Sequence, residues 1–311
     1  MSYKSFAELI GAIQSHSTVR RLVVAAAQDE HTLEAVFRAR RDKIVDPYLI
    51  GNPDKIREIV RFLGETLPSD HIIAAASEVE AARLAVDAIR TGKADILMKG
   101  RIETADMMRA VINKEHGLRT KGIMSMVVFH EMPSYHKLLA VTDGGMVMYP
   151  NLEEKKMLVI NAVNTMVSMG YDCPKVAVLA AVEKVNPKMP ETVDADQLKQ
   201  MNRRGEICNC YIEGPVSYDI VMSPESAAIK GFSSPVTGDA DLLVVPDITT
   251  GNVLGKCLQY SAGARMAGII VGAQVPIVLT SRGASPEEKY LSLALSAMVY
   301  TAPGVLAKTG S

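Results

Sequence analysis

The chain has 311 residues, more than one hydrophobic core usually organises, so two domains are expected. Thirty-four Lys and Arg offset 35 Asp and Glu for a net charge of -1, with no Lys/Arg block, which argues against nucleic acid or an anionic membrane as a bulk electrostatic partner. The 4 cysteines form no CxxC pair and have no His at metal-ligand spacing, which argues against zinc and thioredoxin-type chemistry; reduced, mostly buried thiols are expected.

The N-terminal MSYKSFAELIGAIQ spaces Phe6, Leu9, Ile10 and Ile13 as an amphipathic helix, unlike the apolar core and cleavage site of a signal peptide. No stretch reaches about 18 uncharged apolar residues, so a cytoplasmic protein without a membrane span is expected. Strand and helix signals then alternate: RLVVAAA, a helix from Glu30 to Arg41, PYLIG, a helix from Pro53 to Leu63, HIIAAA, a helix from Glu78 to Arg90, and ADILMKG. Short all-apolar strands imply burial on both faces and hence a parallel βαβ series. Asn52 before Pro53, and Ser77 with Glu80 as a capping box, mark helix starts.

Between Gly122 and Val147 two β-type runs, IMSMVVFHE and KLLAVTDGGMV, are separated by Met132, Pro133, Ser134 and a short polar stretch. That spacing predicts an antiparallel ribbon and a crossing between domains. A second winding follows: a helix from Glu153 to Met169, KVAVLAAV, a helix from Asp194 to Arg203, CNCYIEGPV, a helix near Pro224 to Ile229, DLLVVPD, a helix from Gly251 to Ala267, and IIVGAQVPIVLTSRG. The last helix, Pro286 to Val299, is expected to return to the first domain. The predicted organisation is therefore a discontinuous first domain, 1–135 plus 279–311, and a second domain, 136–278.

No GxGxxG follows a strand, and no GxxxxGK[ST], HExxH or GxSxG occurs, which removes support for nucleotide hydride transfer and P-loop hydrolysis. The 6 histidines stand singly in helix or loop settings. What remains is polar residues after strands: Lys99, Gly100 and Arg101 after ADILM; Glu213, Gly214, Tyr218 and Asp219 after CYI; Asp247, Thr249, Thr250, Gly251 and Asn252 after LLVVP; Ser281, Arg282 and Gly283 after PIVLT. In an open α/β sheet ligands sit at the carboxyl ends of strands, where helix N-termini present N–H groups, so these read together as one crevice for an anion.

Arg282 offers a planar fork for phosphate or carboxylate, or pairs with Glu287 or Glu288 on the surface. Gly283 beside it lets a ligand approach the backbone. Ser281 either donates to a sulfur or oxyanion or bonds its own loop. Glu288 is either a general base or the last member of a capping box, Ser285-Pro286-Glu287-Glu288, where the helix dipole lowers a carboxylate pKa and weakens a base.

SPVTGDADLLVVPDITTGN, EGPVSYDIVMSPESA, TSRGASPEE and ADILMKGRIETADMMRAVI together resemble the phosphate acetyl/butyryltransferase family, more closely its butyryltransferase branch, over nearly the whole chain. The resemblance implies a two-domain α/β/α fold like that of the isocitrate and isopropylmalate dehydrogenases, with the active site in the cleft between domains, and a homodimer or higher homo-oligomer. It implies reversible transfer of a short acyl group, butyryl-like, between coenzyme A and inorganic phosphate, both substrates, with no metal or other cofactor. Carried over by motif, Ser281 hydrogen-bonds the coenzyme A sulfur and Arg282 binds phosphate or the thioester carbonyl. Glu288 falls where acetyltransferases have an aspartate base. Arg109 and Arg119 are the counterparts of upstream anion-binding arginines. Lys99, at a position where acetyltransferases lack a lysine, is a phosphate ligand or an exposed strand-end lysine.

The expected mechanism is a ternary complex in which phosphate attacks the thioester carbonyl directly, cationic donors supplying most of the catalysis. In reverse, Glu288 or Asp219 takes the thiol proton. Two other readings compete: a non-catalytic coenzyme A or phosphate-binding paralogue, and an NAD- and metal-dependent decarboxylating dehydrogenase. The latter needs clustered aspartates, whereas Asp241 and Asp247 fall at opposite ends of LLVV, too far apart for one ion.

Overall fold

The computed structural model describes residues 2–15, 18–281 and 283–299. The chain forms two compact units: one comprises Ala7–Gly122 and the chain from Ala267 onward, the other Ile123–Met266 and the N-terminal residues up to Phe6. These divisions fall about a dozen residues before the expected 135/136 and 278/279.

The first unit follows the expected alternation: α1 (Phe6–Ser15), β1 (Arg20–Ala25), α2 (Glu30–Arg41), β2 (Val45–Gly51), α3 (Pro53–Phe62), β3 (Ile72–Ala74), α4 (Glu78–Arg90), β4 (Ile96–Lys99) and α5 (Thr104–Val111). Strands β1, β2, β3 and β4 pair in parallel. Leu22 to Ala25 and Ile96 to Lys99 are buried throughout, the consequence of covering both sheet faces. Alanines 81, 82 and 85 on α4 are fully buried and let that helix lie close on β1. Asn52 Oδ1 accepts the N–H groups of Asp54 and Lys55, and Ser77 Oγ accepts that of Glu80. Glu80 returns its carboxylate to the N–H of Ala76, one residue before the cap, a shifted form of the expected capping box.

In the second unit β5 (Ser125–Glu131) and β6 (Leu139–Thr142) form the predicted antiparallel ribbon. Then follow α6 (Leu152–Ser168), β7 (Lys175–Leu179), α7 (Pro190–Arg203), β8 (Tyr211–Val216), α8 (Tyr218–Met222), α9 (Pro224–Ile229), β9 (Leu242–Val244) and α10 (Ile248–Tyr260). The strand order is β5-β6-β9-β7-β8, parallel from β6 onward. Its core includes Leu139, Val141, Ala177, Val216, Ile220, Val221 and Leu243.

At the amino ends of these strands, buried Lys137 bridges Asp239 and Asp241 at 2.7 and 2.6 Å, and Asp239 also pairs with Lys175 and His136. Asp241 and Asp247 do lie at opposite ends of β9. Asp241 is thus committed to a lysine.

The chain returns through β10 (Arg265–Val271) and β11 (Ile277–Val278), then α11 (Pro286–Val299). β10 and β11 are antiparallel, and β11 lies parallel beside β4. Because β10 begins at Arg265, α10 stops at Tyr260, short of the predicted Ala267. α11 packs on α2: the Tyr290 hydroxyl donates to Asp42 at 2.6 Å, and the Arg38 guanidinium lies 3.9 Å from the Tyr290 ring centre.

Several local expectations are corrected. Glu213 and Gly214 lie within β8, not after it. His130 is in a strand and fully buried, and burial lowers its pKa to about 4. Of the cysteines only Cys210 is buried, while Cys173, Cys208 and Cys257 are exposed; all are free thiols. The Cys210 thiol is pushed up to about 12 by burial and by its neighbours Cys173 and Cys208, so it is inert. Among the described residues no helix is long and apolar enough to cross a membrane.

Burial alone would raise the pKa of Asp239, but its bonds to Lys137, Lys175 and His136 outweigh that and hold it well below the usual carboxylate range. A depressed folded-state value contributes stability that is present above the unfolded pKa of about 3.9 and is lost on acidification through the folded value. Asp239→Asn should therefore lower the urea midpoint at pH 7. The gap to the unsubstituted protein should close progressively as the pH is taken below about 4; a pH-independent gap would assign the effect to packing.

Candidate active site

Strands β1 and β4 end side by side in the first unit, and their ends are tied by backbone bonds. The N–H of Gly100 reaches Ala25 O at 2.8 Å, and that of Arg101 reaches Ala26 O at 2.7 Å. Ala26 turns away from the strand with φ of 54°, a left-handed conformation rare for a residue with a side chain. A Cβ on Gly100 would stand 2.3 Å from Ala26 O, so this crossing admits only glycine.

Lys99, the last residue of β4, is 4% exposed, and its ammonium donates to Ile102 O at 3.0 Å. The reading of an exposed strand-end lysine does not hold. Around it lies a cavity of about 330 Å³ whose lining includes Asp29, Glu78, Lys99, Arg101, Glu103 and Lys289. That volume is at the lower end for small-molecule pockets. It opens at the carboxyl edge of the sheet, where the topology places ligands.

After β11 the chain runs through Thr280, buried, and Ser281, exposed; Arg282 lies outside the described residues. Gly283 is exposed, and among the described residues a Cβ there would meet nothing within 4 Å, so no internal packing demands glycine. Ser285 Oγ accepts the N–H of Glu288 at 3.1 Å, which caps α11 as the sequence predicts and leaves the Glu288 side chain half-buried. Lys289, next along, is 5% exposed and donates to Thr280 Oγ1 at 3.2 Å. Burial pulls its pKa down, against the raising influence of Asp29 and Glu288.

Lys289 is not among the residues that the sequence singles out. A lysine four residues into an amphipathic helix reads as solvent-facing, and only the near-total burial of α11 shows otherwise. Arg109 and Arg119 are exposed and neither lines the cavity; Arg109 pairs with Asp106 at 2.5 Å, and the backbone of Arg119 bridges to Ala273.

In the second unit the carboxyl ends of β6, β8 and β9 carry the other candidates. Asp247 caps α10, its carboxylate accepting the N–H of Thr250 at 2.9 Å and the Thr250 hydroxyl at 3.2 Å. Gly251 serves packing, since a Cβ there would lie 2.7 Å from the Cα of Gly144 and 2.8 Å from Asp143 O. Asn252 Nδ2 donates to Gly144 O at 3.4 Å.

Sequence reasoning passes over Asp143, the buried anchor of this loop, whose carboxylate accepts N–H groups from Met126, Gly145, Met146 and Val147. Burial nonetheless raises its pKa. Its run TDGGM is the signal that could have found it. Asp219 sits in a polar cluster with Glu183, Ser217 and Lys230, where Lys230 pairs with Asp219 and Glu183 at 2.9 Å each. The Ser217 hydroxyl and the Lys230 ammonium hold the Asp219 carboxyl below its ordinary range.

Gly100→Ala should force the β1 and β4 ends apart and destabilise the protein by about 1–3 kcal/mol, the usual cost of overpacking. Equilibrium urea unfolding measures this, and an unchanged midpoint would contradict the close approach.

Residues 71–297 match the family described as "Phosphate acetyl/butaryl transferase". A phosphate acetyltransferase of Thermotoga maritima is 44% identical over 90% of this chain and 95% of its own length. A phosphate butyryltransferase of Clostridium acetobutylicum is 43% identical over 95% of this chain and 98% of its own. The crystal structure of a branched-chain phosphotransacylase from Enterococcus faecalis superposes with a TM-score of 0.79 at 32% identity, covering 91% of this chain and 99% of that one. With its strand-end cavity and these likenesses along nearly its full length, the chain belongs to the phosphate acetyl/butyryltransferase family and is an enzyme with phosphate acyltransferase activity.

Proposed function

We propose that this enzyme transfers a short acyl group, of butyryl size, from coenzyme A to inorganic phosphate and back, by direct attack in a ternary complex. The observation that carries the phosphate half of this reading is Lys99, a lysine only 4% exposed that lines a cavity at the carboxyl ends of parallel strands. A buried cation lining a cavity at such a place suits an anionic ligand, and phosphate is the anionic substrate of phosphate acyl transfer.

A phosphate oxygen attacks the thioester carbonyl carbon, the carbon–sulfur bond breaks, and the electron pair leaves with sulfur. Cationic donors are needed because both reactants carry negative charge. Arg282 is assigned to polarise the carbonyl or hold phosphate, and Ser281, exposed just past β11, to hydrogen-bond the departing sulfur. An alkyl thiolate near pKa ~8.5 needs such a bond more than full protonation.

In the reverse direction a base takes the thiol proton. Glu288 is preferred to Asp219 for this step, because Asp219 is ion-paired to Lys230 with a lowered pKa, and a weaker base results. Asp247, Thr250 and Asn252 are assigned to substrate binding at the N-terminal turn of α10, where N–H groups suit an anionic ligand.

Thiol release from acetyl- to hexanoyl-CoA with inorganic phosphate tests the reading, and kcat/KM should peak at butyryl-CoA. Each methylene removed should cost about 1–3 kcal/mol, or roughly 10–200-fold. A peak at acetyl-CoA would move the enzyme to acetyl transfer, and no phosphate-dependent thiol release with any of them would sink the proposal. Arg282→Ala should lower kcat by about 10²–10³, the scale of removing one preorganised donor; near-full activity in that variant would remove Arg282 from the mechanism.

A further inference from the structure

Lys289 has no part in the chemistry described so far, yet its placement is that of a ligand-binding group. It arrives at the cavity from α11, whereas Lys99 arrives from β4, and the two are 5% and 4% exposed. Thr280 takes one of the three donors of the Lys289 ammonium. A hydroxyl dipole does not neutralise charge, and a buried ammonium is costly unless an anion compensates it.

Among the described residues no carboxylate is ion-paired to Lys289, and Asp29 and Glu288 act on it only through space. Asp29 is half-buried and caps α2, accepting from the N–H of Thr32 at 2.9 Å and from its hydroxyl at 2.5 Å. Glu78 and Glu103 are exposed at the rim, as is Arg101. The cavity therefore has a cationic floor and a mixed rim. The depressed pKa of Lys289 agrees, since Asp29 and Glu288 fail to offset the effect of burial.

We propose that Lys289 and Lys99 together form the floor of the inorganic phosphate subsite, Lys289 being a second phosphate-binding cation that Thr280 holds in position. The inference rests on the acyltransferase reading above. Two ammonium groups on separate elements suit an anion with several acceptor oxygens, each lysine acting as a point charge. Thr280 directly precedes Ser281, so the segment that aims Lys289 also carries the residue assigned to the coenzyme A sulfur.

The test is steady-state kinetics of the full chain with Lys289→Met, Lys289→Arg and Thr280→Val, varying phosphate at saturating butyryl-CoA and then the reverse. Lys289→Met should raise the KM for phosphate at least tenfold while the KM for butyryl-CoA stays within twofold. Lys289→Arg should recover part of the loss, and Thr280→Val should raise the phosphate KM severalfold. An unchanged phosphate KM in Lys289→Met overturns the inference. A rise confined to butyryl-CoA also overturns it and moves the lysines to the phosphates of coenzyme A. If Lys289→Met does not fold, an unchanged phosphate KM in Thr280→Val is the overturning result.

Thermal unfolding with inorganic phosphate alone separates this inference from the one beneath it. Phosphate should raise the Tm of the unsubstituted chain and leave that of Lys289→Met or Thr280→Val much less affected. An enzyme that binds phosphate in this way but releases no thiol refutes acyl transfer and keeps the subsite. An enzyme that turns over while Lys289→Met binds phosphate normally refutes the subsite alone.

Discussion

The first unit depends on the backbone junction where β4 meets β1. Two hydrogen bonds, Gly100 to Ala25 and Arg101 to Ala26, bring the strand ends so close that no side chain fits at position 100. That junction stops β4 at Lys99, turns the chain at Ala26 toward the N-terminus of α2, and leaves space between strand ends and helix starts. Parallel sheets generally bind ligands at such edges, because the last carbonyl-side residues are freed from the ladder while helix N–H groups converge there. Here the space is floored by lysines.

A related economy holds in the second unit, where one buried carboxylate organises the loop facing α10. Asp143 gathers four backbone N–H groups, so residues 144 to 147 hold their shape without regular structure. Gly251 then lets α10 start against Gly144 at a distance that a methyl group would prevent. The segment DITTGN, Asp247 to Asn252, therefore has two parts with different roles. Its glycine serves packing, and its Asp247–Thr250 cap fixes the helix end assigned to substrate. Residues grouped by a motif need not share a physical role.

Much of the fold is legible in sequence because its determinants are local. Helix α2 and helix α4 span the residues that periodicity predicts, and Asn52, Ser77 and Ser285 accept the N–H groups that their positions imply. The failures have non-local causes. The run IMSMVVFHE places His130 in a strand, but its complete burial depends on what packs around β5. Lys289, which no motif marks, is buried at the cavity.

The sequence by itself determined the alternating α/β plan, the helix caps, the family and the presence of polar residues at strand ends, since each is written within a few neighbouring positions. Tertiary structure decided which of those polar groups are buried together. Lys99 and Lys289 are 190 positions apart; the end of an apolar strand marks Lys99, but nothing local distinguishes Lys289 from a solvated lysine. They line one cavity only because β11 pairs in parallel with β4 and α11 is buried behind the strand ends. Burial is a property of everything packed around a side chain, and that is why the floor of this cavity could be read only from the folded protein.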